Sequence, residues 1–392
     1  MKSNPNGRCR FIFNIFNNRD RYYSKVGSMI RVIRLPGLPL FLCIKEENAR
    51  NVLVEELCIL WKYLMENLSL KGAVHMAEKH RIIIDTDTAG DDAAALIIAA
   101  KAPDIEILGV TVLAGNVPLE QGAKNALAVL ELVGCDVPVY LGASTPLSGE
   151  EKECFSVYGA DGMGDADLIH PTRSPNTDMD AIDFILETIR ANPGEIEIVA
   201  LGPATNLALA IQKDRETMQK VKRIWSMGTA GFGPGNATPV AEFNVYKDAL
   251  AYKTMIDLGV PTTIIGLDMD DEPTWTYEDR LAELKDGNKI EAFMAAAVSK
   301  LLEFKKGNGI PAVDLPDAIA MACLAWPDFV EETTLCYGSC ITEPGETYGM
   351  LIYYRDGFTY DSMPKIGKAN ISLVSKIKKD EFVDRLRAVF TL

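Results

Sequence analysis

From Lys79 onward the chain repeats one pattern, a short apolar run followed by a helical one, and this alternation restricts the fold more than any other feature. Arg81-Ile-Ile-Ile-Asp85 has the character of a strand buried on both faces, and Asp92 to Lys101 is an Ala-, Leu- and Ile-rich helix closed off by Pro103. Ile105 to Leu113 reads as the next strand. Leu119, Ala123, Ala126, Leu127, Leu130 and Val133 then share one helical face that stops at Gly134. The same reading predicts strands at Val137–Leu141, Ile196–Leu201, Arg223–Met227 and Thr262–Leu267. Helices are predicted at Met179–Ala191, Leu207–Lys213, Lys247–Leu258, Asn288–Lys305 and Ala318–Ala325. Strands separated by helices pair in parallel, with helices on both faces of the sheet.

The expected fold is therefore α/β, a single large domain with a mostly parallel, doubly wound (Rossmann-like) central sheet, plus an N-terminal extension. Ligands of such sheets bind beyond the carboxyl ends of the strands, so polar residues just after each strand are where function should sit. The extension is set apart by charge: residues 1–75 carry 12 Lys+Arg against 6 Asp+Glu, whereas residues 76–392 carry 28 against 49. Within it, apolar residues from Val52 to Leu68 recur at helical spacing, which predicts a helix over Glu46–Leu68. An Arg-rich start fits a transit peptide, but Glu46, Glu47, Glu55 and Glu56 weaken that reading, and the plainer one is a leader before a domain that begins near Met76. The division is thus 1–75, partly helical or disordered, and 76–392.

A net charge of -15 opposes binding to a polyphosphate backbone, so no nucleic-acid partner is expected. The apolar patch from Leu35 to Ile44 is broken by Pro36 and Pro39 and falls far short of the ~20 residues of a membrane span. No membrane partner is expected either. The eight cysteines form no CxxC pair, which suits reduced thiols in a cytoplasmic protein.

The densest chemical signal is Asp85-Thr-Asp87-Thr-Ala-Gly-Asp91-Asp92, with four carboxylates in eight residues at the end of a predicted strand. Like charges this close repel, and a hard cation with 6–8 oxygen ligands, Ca²⁺ more than Mg²⁺, would offset them. Capping of the next helix by Asp91 or Asp92 explains only one of the four. Other strand ends are equally polar. Asn116 follows the second strand, as a site residue or as cap of the helix that starts at Pro118; Thr205 follows another, as cap or as an oxygen donor to the metal. Asn236, Glu242 and Asn244 follow the Gly-rich run Gly228 to Gly235, where their side chains suit the hydroxyls of a sugar or form a solvated loop. Asp317 opens a late Ala-rich helix, as cap or as ligand.

Asp85-x-Asp87-x-x-x-Asp91-Asp92, Gly115-Asn116-Val117-Pro118, Gly202-Pro-Ala-Thr205-Asn206, Ala241-Glu242-Phe243-Asn244 and the Asp317 helix stand in order over nearly all of residues 76–392. Together they resemble the motif set of the calcium-dependent nucleoside hydrolases, the inosine–uridine-preferring family; residues 1–75 match nothing in it. The resemblance implies Ca²⁺ held by Asp87, Asp92, Asp317 and the backbone oxygen of Thr205. Asp87 would also be the general base for a calcium-bound water, and Asp91, Asn116, Asn236, Glu242 and Asn244 would hold the ribose. It further implies a nucleoside as small-molecule partner, a role in nucleoside salvage, and assembly as a homodimer or homotetramer. Breaking an N-ribosidic bond builds positive charge on the sugar, which a carboxylate-rich, hydroxyl-gripping pocket stabilises in the transition state.

The chain also departs from the family pattern. Thr88-Ala89 stands where Pro-Gly is usual, which predicts a turn that differs in detail, because Ala takes left-handed dihedrals less freely than Gly. Pro316 and Tyr158 stand where imidazoles are usual. Of the three histidines, His75 and His80 precede the first strand and His170 falls in a loop, so all three read as surface residues. Tyr158 then becomes the candidate proton donor to the leaving base, with Trp275, Tyr277 and Phe232 as aromatic candidates for stacking. Two other readings stand beside hydrolysis. One is a non-catalytic riboside- or ribose-binding relative, and the other a haloacid-dehalogenase-like phosphotransferase, whose DxDxT motif Asp85-Thr-Asp87-Thr88 also fits.

Overall fold

Seven of the nine strands in the central sheet lie side by side in parallel pairing, as expected where helices separate the strands. The computed structural model describes residues 30–34, 41–45, 79–149, 157–270, 275–276, 287–309, 312–355 and 367–392. The chain divides into two units, Met1–Met76 and Ala77–Leu392. In the first, Ile30–Arg34 and Phe41–Lys45 form an antiparallel pair. The predicted helix over Glu46–Leu68 and His75 lie outside the described residues.

The second unit opens with β1 (His80–Thr86), α1 (Gly90–Lys101), β2 (Ile105–Val112), α2 (Leu119–Leu132) and β3 (Val139–Leu141). It continues through α3 (Ala181–Ala191), β4 (Ile196–Ala200), α4 (Thr205–Lys213) and β5 (Arg223–Met227). Next come α5 (Phe243–Lys247), α6 (Ala249–Ile256), β6 (Thr262–Ile265), α7 (Lys289–Ala297) and α8 (Ser299–Gly307). The chain closes with α9 (Pro316–Ala325), β7 (Val330–Cys340), β8 (Leu351–Arg355), β9 (Ile371–Ile377) and α10 (Lys379–Phe390). The sheet order is β8-β7-β9-β6-β5-β4-β1-β2-β3, with β7 antiparallel to both of its neighbours.

Period-two alternation sends adjacent residues of one strand into opposite cores. On β1, Ile82 and Ile84 pack with α1, α2, α9 and α10, while Ile83 joins the second core with Ile198, Ile224 and helices α3, α4 and α6. Both faces are therefore buried, which is why these strands read as continuous apolar runs. The strand order reverses beside β1: β2 and β3 extend one way, β4 to β6 the other. The carboxyl ends of β1 and β4 consequently flank a crevice of the kind where doubly wound folds bind ligands.

The structure departs from the sequence reading at some elements. The helix expected over Lys247–Leu258 is interrupted at Asp248, whose backbone (φ -148, ψ 73) leaves the helical region and whose side chain caps α6 through the Ala251 N–H. The one expected over Asn288–Lys305 is split at Val298 into α7 and α8. His80 is no bare surface residue: its Nδ1 lies 2.8 Å from Oε1 of the buried Glu197. His170 is exposed, as expected. Among the described residues, no helix is long and apolar enough to cross a membrane.

Candidate active site

The acidic turn after β1 holds the centre of the site, and its local structure follows from short-range bonds. Ala89 caps α1 in an extended conformation (φ -116, ψ -161), so alanine fits there without the left-handed dihedrals that glycine would favour. Asp92 reaches back to the Ala89 N–H at 2.8 Å and accepts the Thr86 hydroxyl at 2.5 Å. Capping thus accounts for one oxygen of Asp92, and it accounts for none of Asp87.

Asp87 is wedged between two backbone segments. A Cβ on Gly115 would stand 2.0 Å from Asp87 Oδ2, and one on Gly202 would stand 2.7 Å from Oδ1. Only glycine permits that approach, which explains the Gly at the end of β2 and the one after β4. Asp87 Oδ2 accepts the Asn116 N–H at 2.5 Å, so the Asn116 backbone orients this carboxylate. Gly115→Ala is expected to push Asp87 aside and cost about 1–3 kcal/mol of stability by overpacking. Thermal melts and activity measured together check it: both should fall.

Asp91, Asp92 and Asp317 offer ligand atoms that all lie within 4.8 Å of one another, and all three are buried. Asp317 is not a cap: Leu315 occupies the cap position of α9, Pro316 is in its first turn, and no side chain caps it. Oδ1 of Asp87, of Asp91 and of Asp317 is buried without a hydrogen-bond donor among the described residues. Buried polar atoms are ordinarily paired, so three orphaned carboxylate oxygens at one crevice fit a cation or a hydroxyl-bearing ligand.

The electrostatics agree. Burial, and then the charges of Asp91 and Glu242 against the backbone donors, push Asp87 up to about 7. Burial and the neighbouring Asp92 push Asp91 up to about 8, and burial and Asp87 push Asp92 up to about 7. Asp317 is raised well above its ordinary value by burial and then by Asp91, Asp92, Asp87 and Glu242. Without a compensating positive charge these acids resist simultaneous ionisation. The all-oxygen donor set suits a hard divalent cation.

The remaining expected residues surround this cluster with different degrees of engagement. Thr205 does not cap α4, whose cap position is Ala204; its hydroxyl donates to Asp248 at 2.8 Å, so only its backbone oxygen could serve a metal. Glu242 caps α5, accepting N–H bonds from Asn244 and Val245 and a third from Thr229 at 3.2 Å. Asn244 donates to the Leu201 carbonyl at 2.6 Å, which ties α5 to the end of β4. Asn236 is exposed and accepts the Phe243 N–H at 2.8 Å. Tyr158 is buried, its ring packed over the start of α1 at Gly90. Phe232 is 48% exposed with its ring 5.5 Å from that of Tyr353. The side chain of Trp275 and the whole of Tyr277 lie outside the described residues.

Sequence reasoning left Asp85 without a task. Its Oδ1 accepts Thr111 Oγ1 at 2.6 Å and the Asn206 amide at 2.8 Å, so it pins α4 to β1 and β2 across the crevice. The signal for this was present, an Asn directly after Thr205, but pairing over 121 residues is invisible in sequence.

A buried carboxylate cluster at the switch point of a doubly wound sheet defines an α/β enzyme whose site is built for a cation and a polar ligand. The model of the inosine-uridine preferring nucleoside hydrolase family matches residues 82–384, and the chain belongs to that family. It is an N-ribosyl hydrolase by membership. Similar proteins include uridine nucleosidase 1 of Arabidopsis thaliana, 34% identical over 69% of this chain and 84% of that protein. The pyrimidine-specific ribonucleoside hydrolase RihB of Escherichia coli is 30% identical over 73% of this chain and 94% of its own. A solved plant nucleoside hydrolase superposes with a TM-score of 0.73 at 30% identity, covering 80% of this chain and 99% of that one.

Proposed function

We propose that this chain hydrolyses the N-glycosidic bond of ribonucleosides to ribose and free base, at the carboxylate cluster between the ends of β1 and β4. The observation that carries the reading is the set of orphaned oxygens on Asp87, Asp91 and Asp317. In this reading Asp87, Asp92, Asp317 and the Thr205 backbone oxygen hold calcium. The ion supplies a hard positive charge that offsets the carboxylates and makes a nearby water more acidic. Asp87, fixed by the Asn116 N–H, takes the proton as water attacks the anomeric carbon. The carbon–nitrogen bond breaks as the carbon–oxygen bond forms, and the departing base nitrogen takes up a proton.

The ribose is held by groups with capacity to spare. Asn236 uses its oxygen on Phe243 and keeps its amide N–H groups for a hydroxyl. Asn244 donates to Leu201 and keeps its carbonyl oxygen. Glu242 retains acceptor capacity beyond its three N–H partners, and Asp91 contributes its unpartnered Oδ1. Asn116 completes the set.

A panel of purine and pyrimidine nucleosides and nucleotides tests the assignment. Ribose should appear from nucleosides. Binding without ribose release would mark the non-catalytic relative, a reading favoured by Pro316 and Tyr158 at the positions where imidazoles are usual. Phosphate release from nucleotides alone would mark a phosphotransferase.

The proposal places the catalytic unit in residues 76–392, supported by the family match that begins at residue 82. A chain begun at Met76 is expected to fold and keep its turnover, because the family match lies wholly within residues 82–384. Insoluble or inactive protein would make the extension part of the catalytic fold.

A further inference from the structure

We propose that Thr229 is a positioning residue, which fixes the Glu242 carboxylate from outside its own helix so that Glu242 can hold a ribose hydroxyl. The proposal deepens the ribose-holding role given to Glu242 above and rests on it. Thr229 lies two residues past the end of β5 with φ at 78°, one of three non-glycine residues at positive φ among the described residues. The other two, Asp165 and Asp167, are exposed and of a type that visits this region readily. Thr229 is buried, and a β-branched residue seldom takes such dihedrals. Strain of this kind persists only where the surroundings over-determine it.

Every polar atom of the residue is engaged. The Thr229 N–H donates to Glu242 Oε2 at 3.2 Å, and its carbonyl accepts the Leu267 N–H at 3.1 Å from the turn after β6. Its hydroxyl oxygen accepts the Tyr353 phenol at 2.6 Å from β8 and the Gly231 N–H at 3.2 Å. φ sets how the N–H stands relative to the hydroxyl and the carbonyl, so relaxing it to negative values would give up at least one of these bonds. Glycine would reach the same φ freely, but it has no hydroxyl for Tyr353. The donors from Asn244 at 2.8 Å and Val245 at 3.1 Å belong to α5 and travel with it, whereas the Thr229 bond ties Glu242 to the sheet. That helix starts beside the site: Asn244 donates to the Leu201 carbonyl at 2.6 Å, and the next residue, Gly202, packs against Asp87. A carboxylate set in place beforehand lowers the ordering cost of binding, and here Thr229 supplies that order.

The test measures ribose binding by calorimetry, with steady-state kinetics on uridine alongside, for Thr229→Gly, Thr229→Ser, Tyr353→Phe, Glu242→Gln and the double variant of Thr229→Gly with Glu242→Gln. Thr229→Gly should weaken ribose binding by about 3–10-fold, as expected when the ligand must order a side chain that the protein ordered before. KM should rise more than kcat falls, because the contact is made before the chemistry begins. Thr229→Ser keeps the hydroxyl and should recover most of the loss. Glu242→Gln cannot accept N–H bonds on both of its terminal atoms, and in that background Thr229→Gly should cost less than about twofold, since the two residues act as one. Tyr353→Phe keeps the ring against Phe232 and releases the Thr229 hydroxyl, so it should weaken ribose binding in the same direction; it carries the test if Thr229→Gly fails to fold. Full additivity, or ribose binding that neither Thr229→Gly nor Tyr353→Phe weakens, would overturn the proposal. Ribose binding absent from the wild type, or left intact by Glu242→Gln, would overturn the ribose-holding role of Glu242 and this proposal with it. Absent turnover beside the expected pattern of ribose binding would sink the hydrolase reading alone.

Discussion

Asp87→Asn should reduce ribose release by about 10²–10⁴-fold from the loss of base catalysis alone, while the metal-free protein becomes no less stable. The two halves of that result have one cause. Asp87 is a buried carboxylate beside Asp91 and Glu242, pushed up to about 7 by burial first and by those charges next. An amide of the same shape can keep the bond from the Asn116 N–H and the fit between Gly115 and Gly202, and it removes a charge that the fold holds at a cost. Steady-state kinetics with melting curves in a chelator check the pair of outcomes. Retained activity would remove Asp87 from the chemistry, and a collapse in metal-free stability would make it a structural residue.

Removing the cation should have the second large effect. In chelator, the folded protein must accommodate Asp85, Asp87, Asp91 and Asp92 with values raised to about 7 or 8, and Asp317 raised as well. Groups with folded values raised above the ordinary 3.8 bind more protons folded than unfolded. The metal-free protein should accordingly be most stable near pH 4 and lose stability as the pH rises to about 8. Calcium at about 100 times its dissociation constant should add about 2.7 kcal/mol and flatten that dependence. Asp317→Asn should weaken the calcium response by about 10–100-fold in concentration, in line with the loss of one charged ligand. Melting curves across pH, with and without calcium, read all of this; identical curves would contradict a cation at the cluster.

Much of this architecture was legible because the informative residues are local. Arg81 to Asp85, Ile105 to Leu113 and Arg223–Met227 lie in parallel strands buried on both faces, and such strands carry their own signature in an unbroken apolar run. The antiparallel end of the sheet was less legible. In β7 three residues in a row, Glu331, Glu332 and Thr333, are exposed, and only Cys336, Gly338 and Cys340 are buried, so nothing in it resembles the inner strands. The splits at Asp248 and Val298 were hidden because the flanking residues keep helical composition; only the hydrogen bonds from Leu147 and Thr205 to Asp248 reveal that this side chain bridges three segments.

The site divides along the same line. Clustered carboxylates announce themselves in one stretch, and the Gly residues at 115 and 202 mark strand ends, yet their packing against Asp87 is a three-dimensional fact. The pairing of Asp85 with Asn206 joins segments 121 residues apart, for which single-sequence periodicity holds no signal. Glu242 shows the opposite case, a residue whose cap position and place in the cluster coincide.

The central claim, a cation-dependent carboxylate site that cleaves the ribosidic bond, meets its most direct test in one titration. Chelator-treated protein is supplied with uridine or inosine, calcium is added back stepwise, and free ribose and free base are quantified together. Ribose and base should appear in equal amounts, absent in chelator and rising with calcium until the site is filled. Release that is indifferent to calcium, or base appearing as a ribose phosphate partner in place of free ribose, would contradict the account.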